Sequence, residues 1–148
     1  MTRLLTTTAA LLALAAPAFA DGDAAKGEKE FKKCKACHEI VAPDGAEIVK
    51  GGKVGPNLYG VVGRTAGTYP DFAYDEDTIK AGAAGLVWDG ENLVKYLEDP
   101  TAFLQEVSGN SAAKSKMTFK LKKHGDDVVA YLASVAPAAD GAEPKKAD

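Results

Sequence analysis

Cys34-Lys35-Ala36-Cys37-His38 reads C-x-x-C-H, and this stretch decides the architecture. Two thiols at that spacing add across the two vinyl groups of one haem, and the residue that follows delivers its imidazole to the iron. Cys34 and Cys37 are therefore the expected covalent attachment points, and His38 an expected axial ligand. The motif admits other readings. A thioredoxin-like redox pair is also C-x-x-C, but it wants a preceding strand in a βαβ unit, and the sequence offers none. A disulfide between residues three apart at a helix end would constrain almost nothing. Zinc needs four ligands, and beyond Cys34, Cys37 and His38 only His124 and acids remain. With no further cysteine in 148 residues, a single covalent haem c is what the motif supports.

Working outward toward the N-terminus, Arg3 gives a short positive start, and residues 4–16 form an apolar run broken only by threonines. The run is short for a membrane span. Pro17 and Ala18-Phe19-Ala20 follow, an A-x-A pattern ahead of Asp21. Residues 1–20 read as an export signal removed in the periplasm, with an uncleaved anchor as the alternative. The mature chain is then one domain at 21–136 with a tail at 137–148 that lacks any hydrophobic period and reads as disordered.

Losing Arg3 takes the net charge from −3 to −4, which argues against nucleic acid as a partner. The chain holds one Trp, five Tyr and five Phe, a modest stock for a core, which a large apolar cofactor would supplement.

The period of apolar residues predicts helices over 23–36, about 75–81, 89–98 with Pro100 as its stop, about 101–107, and 125–135. Residues 41–71 are rich in Gly and Pro and read as a long loop, as do 108–116. No strand stands out. The expected fold class is all-α: a few helices with long loops wrapped around one haem.

With Met1 removed, Met117 is the only methionine left, in a loop far from His38 along the chain. A thioether there suits the opposite axial position, raises the reduction potential and leaves no site for oxygen or substrate. An ordinary gap-filling Met is the plain alternative, and His124 a competing ligand that reads better as a solvated helix start. An electron carrier therefore stands against a haem enzyme or a ligand sensor with a displaceable Met117.

At this point the sequence resembles the class I cytochrome c family, most closely its bacterial cytochrome c2 and c-550 members, over about residues 23–135. The likeness is carried by Gly27 to Phe31, the haem motif, Gly55-Pro56-Asn57-Leu58-Tyr59-Gly60, Gly63-Arg64, Tyr74, Trp88, Tyr96-Leu97 with Pro100, Lys116-Met117 with Phe119, and Ala130-Tyr131-Leu132. The resemblance implies that the Pro56 carbonyl orients His38. It implies that Arg64, Tyr74 and Trp88 hold a haem propionate; on their own they would read as a surface Arg and two core aromatics. Tyr96 is implied to lie near the Met117 sulfur, and Gly27, Phe31 and Tyr131 to form the crossing of the first and last helices. Thr78 departs from the family's usual Asn, and the stretches at 42–53 and 107–116 are longer than in the mitochondrial protein.

The lysines are uneven. Lys32, Lys33 and Lys35 precede His38, and Lys114, Lys116, Lys120, Lys122 and Lys123 surround Met117. Flanking both ligands, they should converge on the haem edge as a docking rim for acidic membrane redox complexes, with the protein acting as a monomer. The family implies carriage from a cytochrome bc-type quinol-oxidising complex to a photosynthetic reaction centre, a terminal oxidase or a denitrification enzyme, and no enzymatic activity of its own.

Overall fold

A computed structural model describes residues 22–136; the expected signal at 1–20 and tail at 137–148 lie outside them. Helix α1 spans Ala24–Glu30. Its N-cap Asp23 accepts from the amides of Ala25 (3.0 Å) and Lys26 (3.1 Å), which fixes the start. The helix expected over 23–36 does not stay α-helical. It tightens into a 3-10 turn at Phe31–Lys33, and the backbone then continues through Cys34 N–H to Phe31 O (2.8 Å) and His38 N–H to Cys34 O (2.9 Å). The tighter winding turns Cys34 into the core and leaves Cys37 exposed.

The absence of strands expected from the sequence needs correction. β1 (Ile40–Val41) and β2 (Glu47–Val49) form an antiparallel pair, with Ile40 opposite Val49 and an irregularity after it. Such short strands carry too few residues to show a period of two. Their turn is visible in hindsight: Pro43-Asp44-Gly45 ends in a left-handed Gly45 (φ 87°), and Asp44 accepts from the Ala46 amide at 3.0 Å. The remaining regular elements are helices joined by long irregular segments, and among the described residues no helix is long and apolar enough to cross a membrane.

Helix α2 covers Glu76–Ala83, α3 Gly90–Glu98, α4 Pro100–Ser108 and α5 Gly125–Val135. Asp75, Asp89 and Asp99 each cap the helix that follows through a carboxylate oxygen. Pro100 ends α3 by opening α4 at its first position, where its missing N–H costs nothing. Gly109, left-handed at φ 64°, closes α4.

The helices bury one stripe each. Leu93 and Leu97 of α3, Phe103 and Leu104 of α4, and Val128, Val129 and Leu132 of α5 share one core with Phe31 and Ile40. Trp88, Tyr96 and Phe103 stack within it, with Trp88 and Tyr96 ring centroids 4.7 Å apart. α1 crosses α5 at the expected point. A Cβ on Gly27 would stand 1.9 Å from Asp127 O, and Phe31 meets Tyr131 at 5.6 Å. Asp127 is buried there with both oxygens occupied: one accepts from Asp23 N–H at 2.7 Å, the other faces His124 Nδ1 at 3.1 Å.

Candidate haem site

His38 is the centre of the site. Its Nδ1 lies 2.8 Å from the Pro56 carbonyl oxygen. A carbonyl only accepts, so Nδ1 carries the proton and Nε2 keeps its lone pair. Burial holds this imidazole below the ordinary histidine range, with the Pro56 bond pulling weakly the other way. A neutral ring with Nε2 unprotonated is a metal-ready donor, and the carbonyl behind it fixes its plane.

Three glycines make this approach possible: Gly55, which the sequence reading noted only as part of a motif, and Gly51 and Gly52, which it passed over. A Cβ on Gly51 would stand 1.9 Å from His38 O, one on Gly52 2.2 Å from Ala36 O, and one on Gly55 2.2 Å from His38 Cε1. The 51–56 backbone thus lies directly on the attachment loop, tied by Gly52 N–H to Lys35 O (2.9 Å) and Gly55 N–H to Cys37 O (2.8 Å). The glycine-rich composition signalled a loop. It did not say which backbone the loop would meet.

The two cysteine side chains differ, Cys34 being buried and Cys37 exposed. Burial pushes the Cys34 thiol up to about 11, so it stays protonated at neutral pH. A thioredoxin-type pair needs the opposite, a thiol lowered toward neutrality. The zinc reading also falls, since no three His, Cys, Asp or Glu side chains converge among the described residues.

Arg64 is brought to Trp88 by backbone pairing, with Trp88 N–H to Arg64 O at 2.8 Å and Gly63 N–H to Trp88 O at 2.9 Å. Its half-buried guanidinium donates to the carbonyls of Asn57 (3.2 Å) and Tyr59, and covers the Tyr69 ring at 4.9 Å. Among the described residues no carboxylate pairs with it. Burial pushes the Tyr74 phenol up, and the Arg64 charge opposes this. A half-buried cation without an anion beside a tyrosine suits an acidic group from outside the chain. Asn57 holds this corner to the hairpin, donating to Val41 O (2.7 Å) and accepting from Val41 N–H (3.1 Å) and Tyr59 N–H (3.0 Å). Thr78 Oγ1 is buried and finds no hydrogen-bond partner among the described residues, at the position where the sequence leaves the family pattern.

Met117 is half-buried and packs against the core from the irregular segment between α4 and α5. Its amide donates to Ser115 Oγ at 3.1 Å, and the same Oγ is 2.8 Å from the Tyr96 hydroxyl. Burial pushes that phenol up to about 12, with the Ser115 bond countering. Ser115, Asp75 and Asp77, which also receive amides of this segment, were not singled out in the sequence; only the tertiary fold brings them there. His124, the competing ligand, faces Asp127 at the start of α5, as its helix-start reading requires.

Glu30 and Lys33 face the 119–124 segment across a concavity of about 540 Å³, which joins the two lysine clusters but is lined by none of Cys34, Cys37, His38 or Met117. Lys33 pairs with Glu30 at 2.5 Å and Lys120 with Asp99 at 2.6 Å, while Lys116 Nζ donates to Ala73 O at 2.6 Å. Lys32, Lys35, Lys114, Lys122 and Lys123 are exposed and, among the described residues, in no ion pair.

No family model matches the chain. It is 63% identical over 132 residues to cytochrome c2 of Rhodobacter capsulatus, covering 89% of this chain and 96% of that one. It is 52% identical over 137 residues to cytochrome c-550 of Paracoccus denitrificans, covering 90% and 88%. The solved structure of the Rhodobacter capsulatus cytochrome c2 superposes with a TM-score of 0.76, covering 77% of this chain and 98% of that one. With a C-x-x-C-H helix turn, a proline-oriented histidine and this likeness across most of its length, the chain belongs to the cytochrome c2 and c-550 group of class I c-type cytochromes, a single-haem electron carrier with one covalent haem c, consistent with its Cys34 and Cys37.

Proposed function

We propose that this protein is a monomeric periplasmic shuttle, exported by cleavage after residue 20, carrying electrons from a cytochrome bc-type quinol-oxidising complex to a terminal acceptor. That acceptor is a photosynthetic reaction centre, an oxidase or a denitrification enzyme. His38 and Met117 are the axial ligands in this reading. The observation that carries it is the His38 imidazole, with Nδ1–H spent on Pro56 and Nε2 left as a donor directly after the Cys34 and Cys37 attachment turn.

The chain's own residues divide the work. Cys34 and Cys37 anchor the group on one side of His38, and Pro56 holds the imidazole plane and strengthens its donation. Arg64, Tyr74 and Trp88 receive a propionate at the corner that Asn57 secures. Tyr96 tunes the Met117 side by hydrogen bonding. The bound haem supplies a one-electron change at iron. With both axial positions filled from the chain, no site is left for a substrate, which favours a carrier over an enzyme or sensor.

The rim of Lys32, Lys35, Lys114, Lys122 and Lys123 steers the haem edge to acidic partners despite the net negative charge. Lys33, Lys116 and Lys120 contribute less, since neighbouring oxygens already hold their amines. Two measurements test this. Met117→Ala should abolish the iron–sulfur charge-transfer band of the oxidised protein and lower its potential; a band that survives removes Met117 from the iron. The second-order electron-transfer rate with the membrane partner should fall steeply with salt, beyond a Debye length of about 8–10 Å. Charge reversal at Lys32, Lys35 or Lys122 should slow association more than reversal at Lys33 or Lys120. Equal effects, or a rate indifferent to salt, would exclude this rim as the docking face.

A further inference from the structure

The segment from Gly109 to His124 has no regular secondary structure, and a connection this long moves unless something ties it. Four consecutive backbone donors in it are satisfied, and every acceptor is a side-chain oxygen. Lys114 N–H donates to Asp77 Oδ2 (2.9 Å), Ser115 N–H to Thr101 Oγ1 (3.4 Å), Lys116 N–H to Asp75 Oδ2 (3.1 Å), and Met117 N–H to Ser115 Oγ (3.1 Å). The direction alternates as in an extended strand. Lys114 and Lys116 reach the start of α2, and Ser115 turns inward, its amide to α4 and its hydroxyl to Tyr96 of α3. Asp75 serves twice: Oδ1 caps α2 through Thr78 N–H at 2.7 Å, and Oδ2 holds the loop. Lys116 Nζ returns across the junction to the carbonyls of Ala73 and Tyr74.

We propose that Ser115, Asp75 and Asp77 are positioning residues that set how often Met117 leaves the iron. The proposal rests on the reading of Met117 as axial ligand. For the sulfur to swing away, the peptide at 116–117 must rotate. That rotation first gives up the Met117 bond to Ser115 and the Lys116 bond to Asp75. Ser115 is 8% exposed, so water does not readily replace its hydroxyl. Asp75 and Asp77 act from an element already fixed by its own cap, so the loop is anchored to something that does not move with it.

The test uses the oxidised holoprotein and imidazole as the entering ligand. At saturating imidazole the observed rate is the rate at which Met117 departs. Ser115→Ala should raise it about fivefold to tenfold, the factor one hydrogen bond is worth. Ser115→Thr, which keeps the hydroxyl, should restore it. Asp77→Ala, at a less buried position where misfolding is not at issue, should raise it about twofold to fivefold, a surface bond being worth less. The charge-transfer band should persist in all three, and the denaturant midpoint should move little. Rates in Ser115→Ala and Asp77→Ala that match wild type while the wild-type band is present would overturn the positioning role alone. A denaturant midpoint that falls in proportion to the rate would also overturn it, since the residues would then serve global stability. A wild-type protein without the band would overturn the ligand assignment and the positioning role together.

Discussion

Gly55→Ala puts a methyl group where the His38 ring already is. The added Cβ would lie 2.2 Å from Cε1, 2.6 Å from Nδ1 and 2.7 Å from Nε2, against 3.4 Å for ordinary contact. More than 1 Å must be found, and neither partner can retreat freely. If the ring rotates, Nδ1 leaves the Pro56 carbonyl at 2.8 Å. If the loop lifts instead, Gly55 N–H loses Cys37 O and Gly52 N–H loses Lys35 O, and the Pro56 acceptor moves with it. Either route forfeits about one or two hydrogen bonds at about 1 kcal/mol each, on top of about 1–3 kcal/mol of overpacking. A total near 2–5 kcal/mol corresponds to about 8–20 °C in Tm for a domain of this size. Thermal unfolding of the oxidised holoprotein measures that. Redox titration adds a second readout, because an imidazole that no longer donates to Pro56 is a weaker ligand to ferric iron, and the potential should rise. A Tm within about 2 °C of wild type together with an unmoved potential would refute the tight approach of Gly55 to His38.

Two further predictions concern the helix crossing and the aromatic core. Gly27→Ala would set Cβ 1.9 Å from Asp127 O and 2.8 Å from Tyr131 Cβ. It should cost about 2–3 kcal/mol even after the roughly 1 kcal/mol gain in helix propensity. Gly125→Ala meets nothing nearer than Val94 Cγ1 at 3.6 Å and should stay within about 0.5 kcal/mol; chemical denaturation of the pair decides, and similar losses would sink the argument. The Tyr96 phenol, pushed up from 10.0 to about 12, binds its proton more tightly folded than unfolded. Its contribution is fully present below the unfolded value and lost as pH rises toward 12, about 2–3 kcal/mol in all. Stability of Tyr96→Phe should therefore fall less steeply than wild type over that window, and parallel curves would count against it.

Local chemistry was legible in the sequence. C-x-x-C-H marked the attachment turn, the apolar period placed helix starts near 75 and 89, and the family resemblance pointed to Gly27 with Phe31 and Tyr131 as the crossing that the structure contains. What stayed hidden depends on distance in space. Ser115 meets Tyr96 across 19 residues, and Asp75 meets Lys116 across 41, so no window along the chain contains both partners. The hairpin was missed because two- and three-residue strands are shorter than any periodic signal. The 3-10 turn before Cys34 was missed because i to i+3 and i to i+4 winding share one hydrophobic stripe over so few residues. Lysine counting saw charge but not its neighbours, and so could not tell Lys120, held by Asp99, from Lys122.

On the proposed ligation by Met117, the hydrogen-bonded amides at 114–117 would bear on speed as well as on ligand retention. Passing an electron alters the charge at the iron by one unit, and whatever dipoles can swing in response add to the energy that must be gathered before the electron moves. Peptide groups whose N–H bonds already end on Asp77, Thr101, Asp75 and Ser115 have little freedom to swing. Water in the same place would reorient with every turnover. With Met117 as ligand, the same bonds would keep the barrier to exchange on this face low, and loosening them should slow self-exchange between oxidised and reduced copies even where the reduction potential does not change.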